Sequence, residues 1–190
     1  HAVDKYHRTE DQNRNVTLAA APTYSYDGNG NTTSDGLWSF TWNDENRMTV
    51  ATKSGDTMLE FSYDGLGRRR VKQVYSWTGS AWDLETTIRF VYDGNNLVAE
   101  LDGDDDVVHS YVWGPDLSGT MDGAAGVGGL LAVSDGENVH FPTFDGNGNI
   151  TAYVDASDNV VYSADYSPFG EAFSESGTAP CAFGFSTIYR

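Results

Sequence analysis

The stretch that decides the fold runs from Tyr24 to Thr49 and reads YSYDGNGNTTSDGLWSFTWNDENRMT. It contains one short element twice: two aromatic residues separated by a single residue, followed by a turn that opens with Asp or Asn. Aromatic residues at positions i and i+2 of a β-strand point to the same face. The Asp accepts backbone N–H bonds, and Gly or Asn supplies the positive φ that a tight hairpin needs. The stretch therefore predicts β-hairpins whose rings lie side by side on one face.

The same element recurs along the rest of the chain, at a loose period of about twenty residues that permits insertions. Neighbouring copies place their rings in cross-strand contact, which contributes roughly 0.2–1 kcal/mol for each pair. The copies are YSYDGNGN at Tyr24–Asn31, FTWNDENR at Phe40–Arg47, FSYDGLGR at Phe61–Arg68, FVYDGNNL at Phe90–Leu97, YVWGPDLSG at Tyr111–Gly119, FPTFDGNGN at Phe141–Asn149 and ADYSPFG at Ala164–Gly170. The residues that we assign to the scaffold are Tyr24, Tyr26, Asp27, Phe40, Trp42, Phe61, Tyr63, Asp64, Phe90, Tyr92, Asp93, Tyr111, Trp113, Phe144, Asp145 and Tyr166.

The fold class predicted from these patterns is all-β, with stacked antiparallel hairpins that form a ribbon or spiral. No window of twelve residues shows the apolar spacing of an amphipathic helix, whereas short alternating runs are bounded by Gly, Asn and Asp. The predicted strands are Gly36–Trp42, Thr57–Tyr63, Arg70–Trp77, Thr86–Tyr92, Asn96–Leu101, Val107–Trp113, Gly129–Val133, Asn138–Phe144, Ile150–Val154 and Val160–Tyr166.

Composition and charge exclude several classes of protein. The chain has 190 residues, an aromatic content of 13% and a formal net charge of −17. Residues 90–190 contain one cation, Arg190, and sixteen acidic residues. Such a surface repels phosphate backbones and anionic lipid headgroups, so we expect no nucleic-acid binding. No apolar run is long enough to span a bilayer. The chain begins with His1 and shows no signal peptide. We therefore expect it to be a piece of a longer protein.

Two loops with the sequence DGNGN resemble the first half of a calcium-binding loop. The sixth loop position is Thr32 or Ile150 instead of Gly, and the twelfth is Trp38 or Ala156 instead of Glu. A hairpin turn is therefore the favoured interpretation, no cofactor is expected, and chelation should leave the melting temperature unchanged. Calcium is kept as a secondary alternative, with the candidate ligands Asp27, Asn29, Asn31, Asp145, Asn147 and Asn149.

No catalytic motif is present, and we expect the chain not to be an enzyme. Cys181 is the sole cysteine, so a packing role is favoured over a nucleophilic one. The Gly-rich stretch Gly123–Gly129 lacks the spacing of a phosphate-binding loop and is interpreted as a flexible connection. The basic cluster Arg68–Lys72 is interpreted as balancing acids from the second half of the chain, with docking of a partner as the alternative. Strand alternation predicts that Arg68, Arg70 and Lys72 share one side.

The elements resemble the YD repeats of the RHS (rearrangement hotspot) family. YSYDGNGNTTSDGLWSFTWNDENRMT and FSYDGLGRRRVK are similar to full repeats, and YVWGPDLSGTMDGAAGVGGLLAV resembles the linker into the RHS-associated core. FDGNGNITAYVDASDNVVYSADYSPFGE is similar to the opening of that core. The resemblance extends from Tyr24 to Arg190. It implies three regions: a lead-in without a motif at 1–23, YD repeats at 24–119, and the start of the core at 120–190.

The resemblance also implies a function. In this family a long β-ribbon spirals into a hollow shell that sequesters a variable C-terminal polypeptide, often a toxin, and members are secreted or displayed on the cell surface. The expected partners are therefore the rest of the shell and a C-terminal cargo. The family's self-cleavage segment, which resembles DPxGL, has no counterpart here because the chain contains no Asp-Pro pair. So few strands cannot enclose a cavity, and we expect open sheet edges that permit self-association.

An extracellular adhesion or carbohydrate-binding module is the alternative function. Exposed aromatic rings on a rigid sheet can stack on sugars, and the candidate residues are Trp38, Trp77 and Trp82. The two functions differ in the expected burial of the repeat aromatics. Substitution of Tyr63 by Ala should cost about 3–5 kcal/mol of stability if the ring is buried, and less than ~1 kcal/mol if the ring is exposed for binding.

Overall fold

The structure, a computed structural model, describes residues 2–3, 9–10, 23–121 and 123–189. Fourteen strands, β3 to β16, form a single sheet in which each strand pairs antiparallel with its neighbours in sequence. Two short strands, β1 and β2, form a separate antiparallel pair. Across the described ranges the helical content is one short 3-10 turn at Phe185–Thr187. The all-β prediction is confirmed.

Short turns join most strands of the large sheet, and a longer loop at 114–129 joins β11 to β12, so the chain runs back and forth as a meander from one edge to the other. Strands β8 and β9 are the longest in the sheet, and the strands at the β3 edge are the shortest. The strand bounds are β1 Ala2–Val3, β2 Thr9–Glu10, β3 Ser25–Tyr26, β4 Thr32–Ser34, β5 Trp38–Trp42, β6 Met48–Lys53, β7 Thr57–Tyr63, β8 Arg69–Trp77, β9 Trp82–Asp93, β10 Asn96–Leu101, β11 Val107–Trp113, β12 Leu130–Ser134, β13 Val139–Phe144, β14 Ile150–Asp155, β15 Val160–Tyr166 and β16 Ala172–Gly177.

The two faces of the sheet differ in burial. Phe90, Tyr111, Tyr153 and Tyr162 lie on one face, which we call the aromatic face, and each is almost fully buried. The opposite face exposes residues such as Val112. This division follows from the period-2 alternation of the strands.

Residues 178–189, which we call the C-terminal segment, cover the aromatic face over its second half. Phe183 is buried in this segment, and Cys181 and Tyr189 pack against the same core. The core cluster consists of Phe90, Leu97, Tyr111, Leu130, Val133, Ile150, Tyr153, Tyr162, Ala164 and Phe183.

Both outermost strands of the sheet have one partner within the part of the chain that the structure describes: β3 pairs with β4, and β16 pairs with β15. Within those residues the predicted open edges are present. The three regions 1–23, 24–119 and 120–190 stay a prediction, and most of the first lies outside the described residues.

Candidate functional site on the aromatic face

The side chain of the turn Asp accepts backbone N–H bonds, as the sequence predicts, and its backbone groups also take part in the turn. Asp64 accepts hydrogen bonds at Oδ1 from the backbone N–H of Leu66 and of Arg68, both at 3.0 Å. The Asp64 amide donates to the carbonyl of Arg68 at 3.0 Å, and the Gly67 amide donates to the carbonyl of Asp64 at 2.9 Å. Burial opposes ionisation of Asp64, but the hydrogen bonds from Arg68 and Leu66 outweigh it and lower the pKa. The same backbone pattern closes turns that begin at Asp27, Asn43, Asp102, Asp116, Asp145, Asp155 and Ser167.

The fourth residue of these turns adopts a positive φ, which explains the recurrent Gly. Gly67 has φ +84, and a Cβ there would approach the guanidinium of Arg47 to 3.2 Å. Gly148 has φ +76 and lies against Val127, where a Cβ would approach to 2.5 Å. Asn46 and Asp105 take the same position in other turns, with φ of 58° and 69°. Asn and Asp tolerate this conformation better than most residues.

The two DGNGN loops use their candidate calcium ligands within the turns. Asp27 accepts at Oδ1 from the amides of Asn29 and Asn31, and at Oδ2 from Asn31 Nδ2 at 2.8 Å. Asp145 makes the same three contacts with Asn147 and Asn149. Among the described residues no group of three or more His, Cys, Asp or Glu side chains is placed to hold a metal. The turn interpretation has a complete set of contacts, and calcium binding stays an untested alternative.

The predicted scaffold aromatics are buried to very different degrees. Tyr24 and Tyr26, at the β3 edge, are 53% and 62% exposed, whereas Phe90 is 2% exposed. Asp93 is exposed beside the two-residue β9–β10 turn, instead of opening a turn like that of Asp64. Of the remaining predicted aromatics, Tyr111 is buried and the half-buried ones are Phe40, Trp42, Phe61, Tyr63, Tyr92, Trp113, Phe144 and Tyr166.

Phe183 anchors the C-terminal segment to the middle of the aromatic face. Its ring packs edge-on against Tyr111 and Trp113, with centroid distances of 5.1 and 5.4 Å. The Tyr153 hydroxyl donates to the Phe183 carbonyl at 3.2 Å and lies 3.0 Å from Cys181 Sγ. Burial raises the pKa of the Cys181 thiol, which favours the protonated, unreactive form. The packing role predicted for Cys181 agrees with this environment.

Backbone and side-chain hydrogen bonds tie the C-terminal segment to the second DGNGN turn. The Ile150 amide donates to the carbonyl of Gly184 at 3.1 Å, and the Ser186 amide donates to Asn149 Oδ1 at 2.8 Å. Thr187 Oγ1 donates to the carbonyl of Gly148 at 2.8 Å. Asn149 thus has a structural contact that turn chemistry alone does not indicate.

A buried polar network lies beside this anchor. Glu100 is 5% exposed and accepts hydrogen bonds from the Tyr111 hydroxyl at 2.6 Å and from His109 Nδ1 at 3.3 Å. Burial of Glu100 opposes its ionisation, but the bonds from His109, Tyr111 and Tyr189 outweigh that effect and lower its pKa. The same contact with Glu100 raises the pKa of His109. The geometry favours a charged Glu100–His109 pair that holds Tyr111 and Tyr189.

The predicted sidedness of the basic cluster is wrong. Ser62 pairs with Val71 but Tyr63 pairs with Arg69, so a β-bulge makes Arg70 the extra residue. The bulge places Arg69 and Lys72 on the aromatic face and leaves Arg70 exposed. Arg68 forms an intramolecular ion pair at 2.8 Å, but its partner is Asp64 of the first half of the chain and not an acid of the second half as predicted.

The Gly-rich connection is organised around Asp116, a residue that sequence reasoning missed. Asp116 is 6% exposed and accepts hydrogen bonds from the amides of Ser118, Ala124 and Gly126. The Ser118 hydroxyl also donates to Asp116 at 2.6 Å, and these bonds lower the pKa of Asp116. The stretch predicted to be flexible is thus a hydrogen-bonded loop in the structure.

Several other core residues were not identified from the sequence as part of the site. Tyr153 and Tyr162 lie opposite each other on β14 and β15, in runs without the aromatic–x–aromatic signature. Phe183 is brought to the face by tertiary packing, whereas Glu100 reaches it by strand pairing, opposite Phe90 and His109. Strand alternation could have placed Tyr153 and Tyr162 on a common face, but no local signal indicates where Phe183 packs.

The candidate sugar-stacking residues occupy two places. Trp77 and Trp82 face each other where β8 and β9 meet, with ring centroids 5.0 Å apart, and Trp77 is 38% exposed. Trp38 is half-buried at the start of β5. The rings of Trp77 and Trp82 cover part of each other, and carbohydrate binding stays a prediction.

The repeated turn, the meander and the aromatic face together match a known family. The family model described as the teneurin YD-shell matches residues 5–188. The chain belongs to this family. It is a segment of an RHS-type YD-shell, and the resemblance stated from the sequence is confirmed.

Curated relatives of this YD-shell segment include three WapA proteins of Bacillus. A protein from Bacillus spizizenii named tRNA3(Ser)-specific nuclease WapA is 29% identical over 159 residues. The tRNA nuclease WapA of Bacillus subtilis is 30% identical over 159 residues. Each alignment covers 82% of this chain but 6% of the relative, so the chain spans a small part of those proteins.

Solved structures with the same fold come from Tc toxins. The crystal structure of TcdB2-TccC3-TEV superposes with a TM-score of 0.61 at 13% identity, covering 87% of this chain and 8% of that one. A Photorhabdus luminescens Tc holotoxin pore structure superposes with a TM-score of 0.59 at 13% identity, with the same coverage. These likenesses show that the YD-shell fold is shared.

No helix within 2–3, 9–10, 23–121 or 123–189 has the length and apolar character needed to cross a bilayer.

Proposed function

We propose that this chain forms part of the wall of a shell that encloses a C-terminal cargo polypeptide of a longer protein. The observation that carries the proposal is the unbroken order of β3 to β16, in which every strand pairs with the next strand in sequence. Such a ribbon grows by adding hairpins, and its curvature can close a wall only when many more strands are present. The role is structural, and its carriers are the turn Asp residues and the rings of the aromatic face.

The partners in this proposal are the rest of the shell and the cargo. Strands β3 and β16 each leave one backbone edge without a strand partner in the described part of the chain. Further repeats of the shell would extend the sheet there by antiparallel pairing. Free segments could self-associate through the same edges.

The proposed class of cargo is a toxic enzyme, in a protein that is secreted or displayed at the cell surface. The support is the family together with the WapA relatives, whose names identify them as tRNA nucleases. The acidic surface of this segment, with a net charge of −17, is unsuited to binding tRNA itself. A nuclease activity would therefore belong to another part of the longer protein.

The test begins with the intact mass of the native gene product, followed by limited proteolysis of that product. We expect a C-terminal polypeptide that resists protease while the shell is folded and is digested once urea unfolds the shell. Phe183→Ala should loosen the wall and so increase digestion of the C-terminal polypeptide. Phe173→Ala should not increase it, because that side chain is 71% exposed. A native product that ends at Arg190, or a C-terminal polypeptide digested at the same rate before and after unfolding, would contradict enclosure.

A further inference from the structure

A pocket of about 330 Å³ opens where the aromatic face meets the end of the C-terminal segment. Its walls are largely aromatic and include Tyr63, Tyr92, Phe90 and Trp113. Tyr189 lines the same pocket from the C-terminal segment. A cavity of this volume and composition suits one aromatic ring with a short substituent.

Arg69 gives this pocket a polar group whose hydrogen-bonding capacity is unfilled. Its side chain lines the pocket, and its Nε is buried with no hydrogen-bond partner. The guanidinium carbon lies 4.5 Å from the centre of the Phe61 ring, a cation–π contact that holds the plane of the group in place. A buried N–H on a charged group is costly when no acceptor is present. Because the Arg69 side chain lines the pocket, its positive charge is complementary to an acceptor that enters there.

The charges around Arg69 favour an anion as this acceptor. Lys72 lies on the same face, and burial followed by the charge of Arg69 lowers its pKa. Glu100 is the carboxylate that acts on Lys72, but it already accepts hydrogen bonds from Tyr111 and His109. Asp64 is paired with Arg68. Arg69 is the one charged residue among the described residues that line the pocket, so the pocket has an excess of positive charge within a chain of net charge −17.

We propose that this pocket binds an aromatic carboxylate, with the carboxylate on Arg69 and the ring among Tyr63, Tyr92 and Trp113. A carboxylate matches a planar guanidinium, and a single negative charge suits walls that are mostly aromatic better than a doubly charged phosphate would. The ligand chemistry is set by residues of this chain, so the site does not depend on whether the shell carries a cargo.

The direct test compares two probes on the unaltered protein. 3-Phenylpropionate carries the ring and the carboxylate, and 3-phenylpropionamide is its neutral counterpart of nearly the same shape. Calorimetric titration at low salt is expected to show at least roughly tenfold tighter binding of the carboxylate. Added NaCl should weaken binding of the carboxylate and leave the amide unaffected. Equal affinity for the two probes, or no binding of 3-phenylpropionate, would overturn the proposal.

A matched pair of variants then locates the site. Arg69→Met removes the buried guanidinium, and Arg70→Met removes an equal charge from the neighbouring exposed residue. We expect at least tenfold weaker binding of 3-phenylpropionate to the first variant and a change of less than about twofold in the second. An equal loss in both variants would show non-specific attraction and contradict the assignment. If Arg69→Met does not fold, the comparison of the two probes on the unaltered protein decides alone.

Discussion

At the scale of single residues, burial separates aromatic positions that share one sequence motif. Phe90 is 2% exposed in the core, whereas Tyr26 is 62% exposed at the sheet edge. Tyr63 lies between them: its ring is half-buried, and its hydroxyl donates to the Met48 carbonyl at 2.6 Å. The motif sets which face a ring points to, but the position of its strand in the sheet sets how much the ring contributes to stability.

This gradient predicts the outcome of three alanine substitutions. Phe90→Ala should lower the free energy of unfolding by about 3–5 kcal/mol because it opens a cavity in the core. Tyr63→Ala should cost about 2 kcal/mol from partial burial and one lost hydrogen bond. Tyr26→Ala should cost less than ~0.5 kcal/mol. Urea unfolding of the three variants checks the order, and a cost for Tyr63→Ala below ~1 kcal/mol would instead support the exposed ring expected of an adhesion or carbohydrate-binding module.

The Glu100–His109 pair predicts a dependence of stability on pH. The raised pKa of His109 means that its contribution is full below the unfolded value of about 6.5 and is lost as pH rises through the folded value. The lowered pKa of Glu100 means that its contribution is full above about 4.5 and is lost as pH falls through its folded value. The pair should therefore stabilise the fold most between these two values.

Unfolding of the native protein and of His109→Gln from pH 5 to 8 measures this effect. The stability difference between them should be largest near pH 5.5 and should shrink toward pH 8. The comparison removes the general effect of the acidic surface, since both proteins share it. When His109→Gln is introduced into the Glu100→Gln protein instead, the stability difference caused by His109→Gln should lose most of its dependence on pH. Curves that run parallel from pH 5 to 8 would show that the pair does not ionise as described.

At the scale of elements, the turn that begins with Asp or Asn is the repeated unit of the fold. Asn43 accepts the same two backbone hydrogen bonds at Oδ1 as Asp64 does, from Glu45 and Arg47. The side-chain oxygen, and not the charge, is therefore what the turn requires. Asp64 differs by its added ion pair with Arg68.

Substitutions at Asp64 separate the two contributions. Asp64→Ala should cost about 1–2 kcal/mol because two backbone amides lose their acceptor. Asp64→Asn should recover more than half of that loss, since Asn43 shows that an amide oxygen closes the turn. Asp44→Ala, at an exposed position in the neighbouring turn, should change stability by less than ~0.5 kcal/mol. Thermal or urea unfolding decides, and equal costs for Asp64→Asn and Asp64→Ala would show that the ion pair dominates.

Local sequence predicted many of the strands but not all of them. The bounds of β7, β10, β11 and β15 agree with the prediction residue by residue, because alternating apolar runs end there at turns that open with Asp, Gly or Ser. Strand β16 was missed since its sequence AFSESG has little apolar alternation and is held by pairing with β15. Strands β3, β4 and β6 were missed as well, and β3 and β4 are only two and three residues long.

The β-bulge on β8 shows why the pocket could not be found from the sequence. Simple alternation puts Arg68, Arg70 and Lys72 on one side, but the extra residue changes the face of every residue before it. Arg69 thereby joins Lys72 on the aromatic face. Nothing in the letters RRRVK distinguishes the buried arginine from the exposed one.

At the scale of the whole molecule, two kinds of contact build the structure. Turns and strand pairing join neighbours in sequence and produce the ribbon. The C-terminal segment adds contacts between distant parts of the chain, such as the Gly128 amide donating to Thr187 Oγ1 across 59 residues. The first kind is readable from repeated motifs, whereas the second depends on which surface remains uncovered once the sheet has formed. The segment converts one half of an open aromatic face into a core.

The role of this segment predicts a local effect of Phe183→Ala. The ring contacts Tyr111, Trp113 and Tyr189, so its loss should loosen residues 178–189 without unpairing the sheet. Amide exchange of Ile150, which donates to the Gly184 carbonyl, should speed up by at least roughly tenfold. Amides within the β7–β8 ladder should keep their protection.

Phe173→Ala is the matched control, because that ring is 71% exposed and belongs to strand β16. It should leave exchange at Ile150 within about twofold of the native protein. If Phe183→Ala accelerates exchange equally across the β7–β8 ladder and at Ile150, the segment and the sheet unfold as one unit. If exchange at Ile150 does not change, Phe183 is not the anchor. The predicted pattern, fast at Ile150 and slow in the β7–β8 ladder, is the one expected of a ribbon that is stable by local pairing and is covered by a separately opening segment.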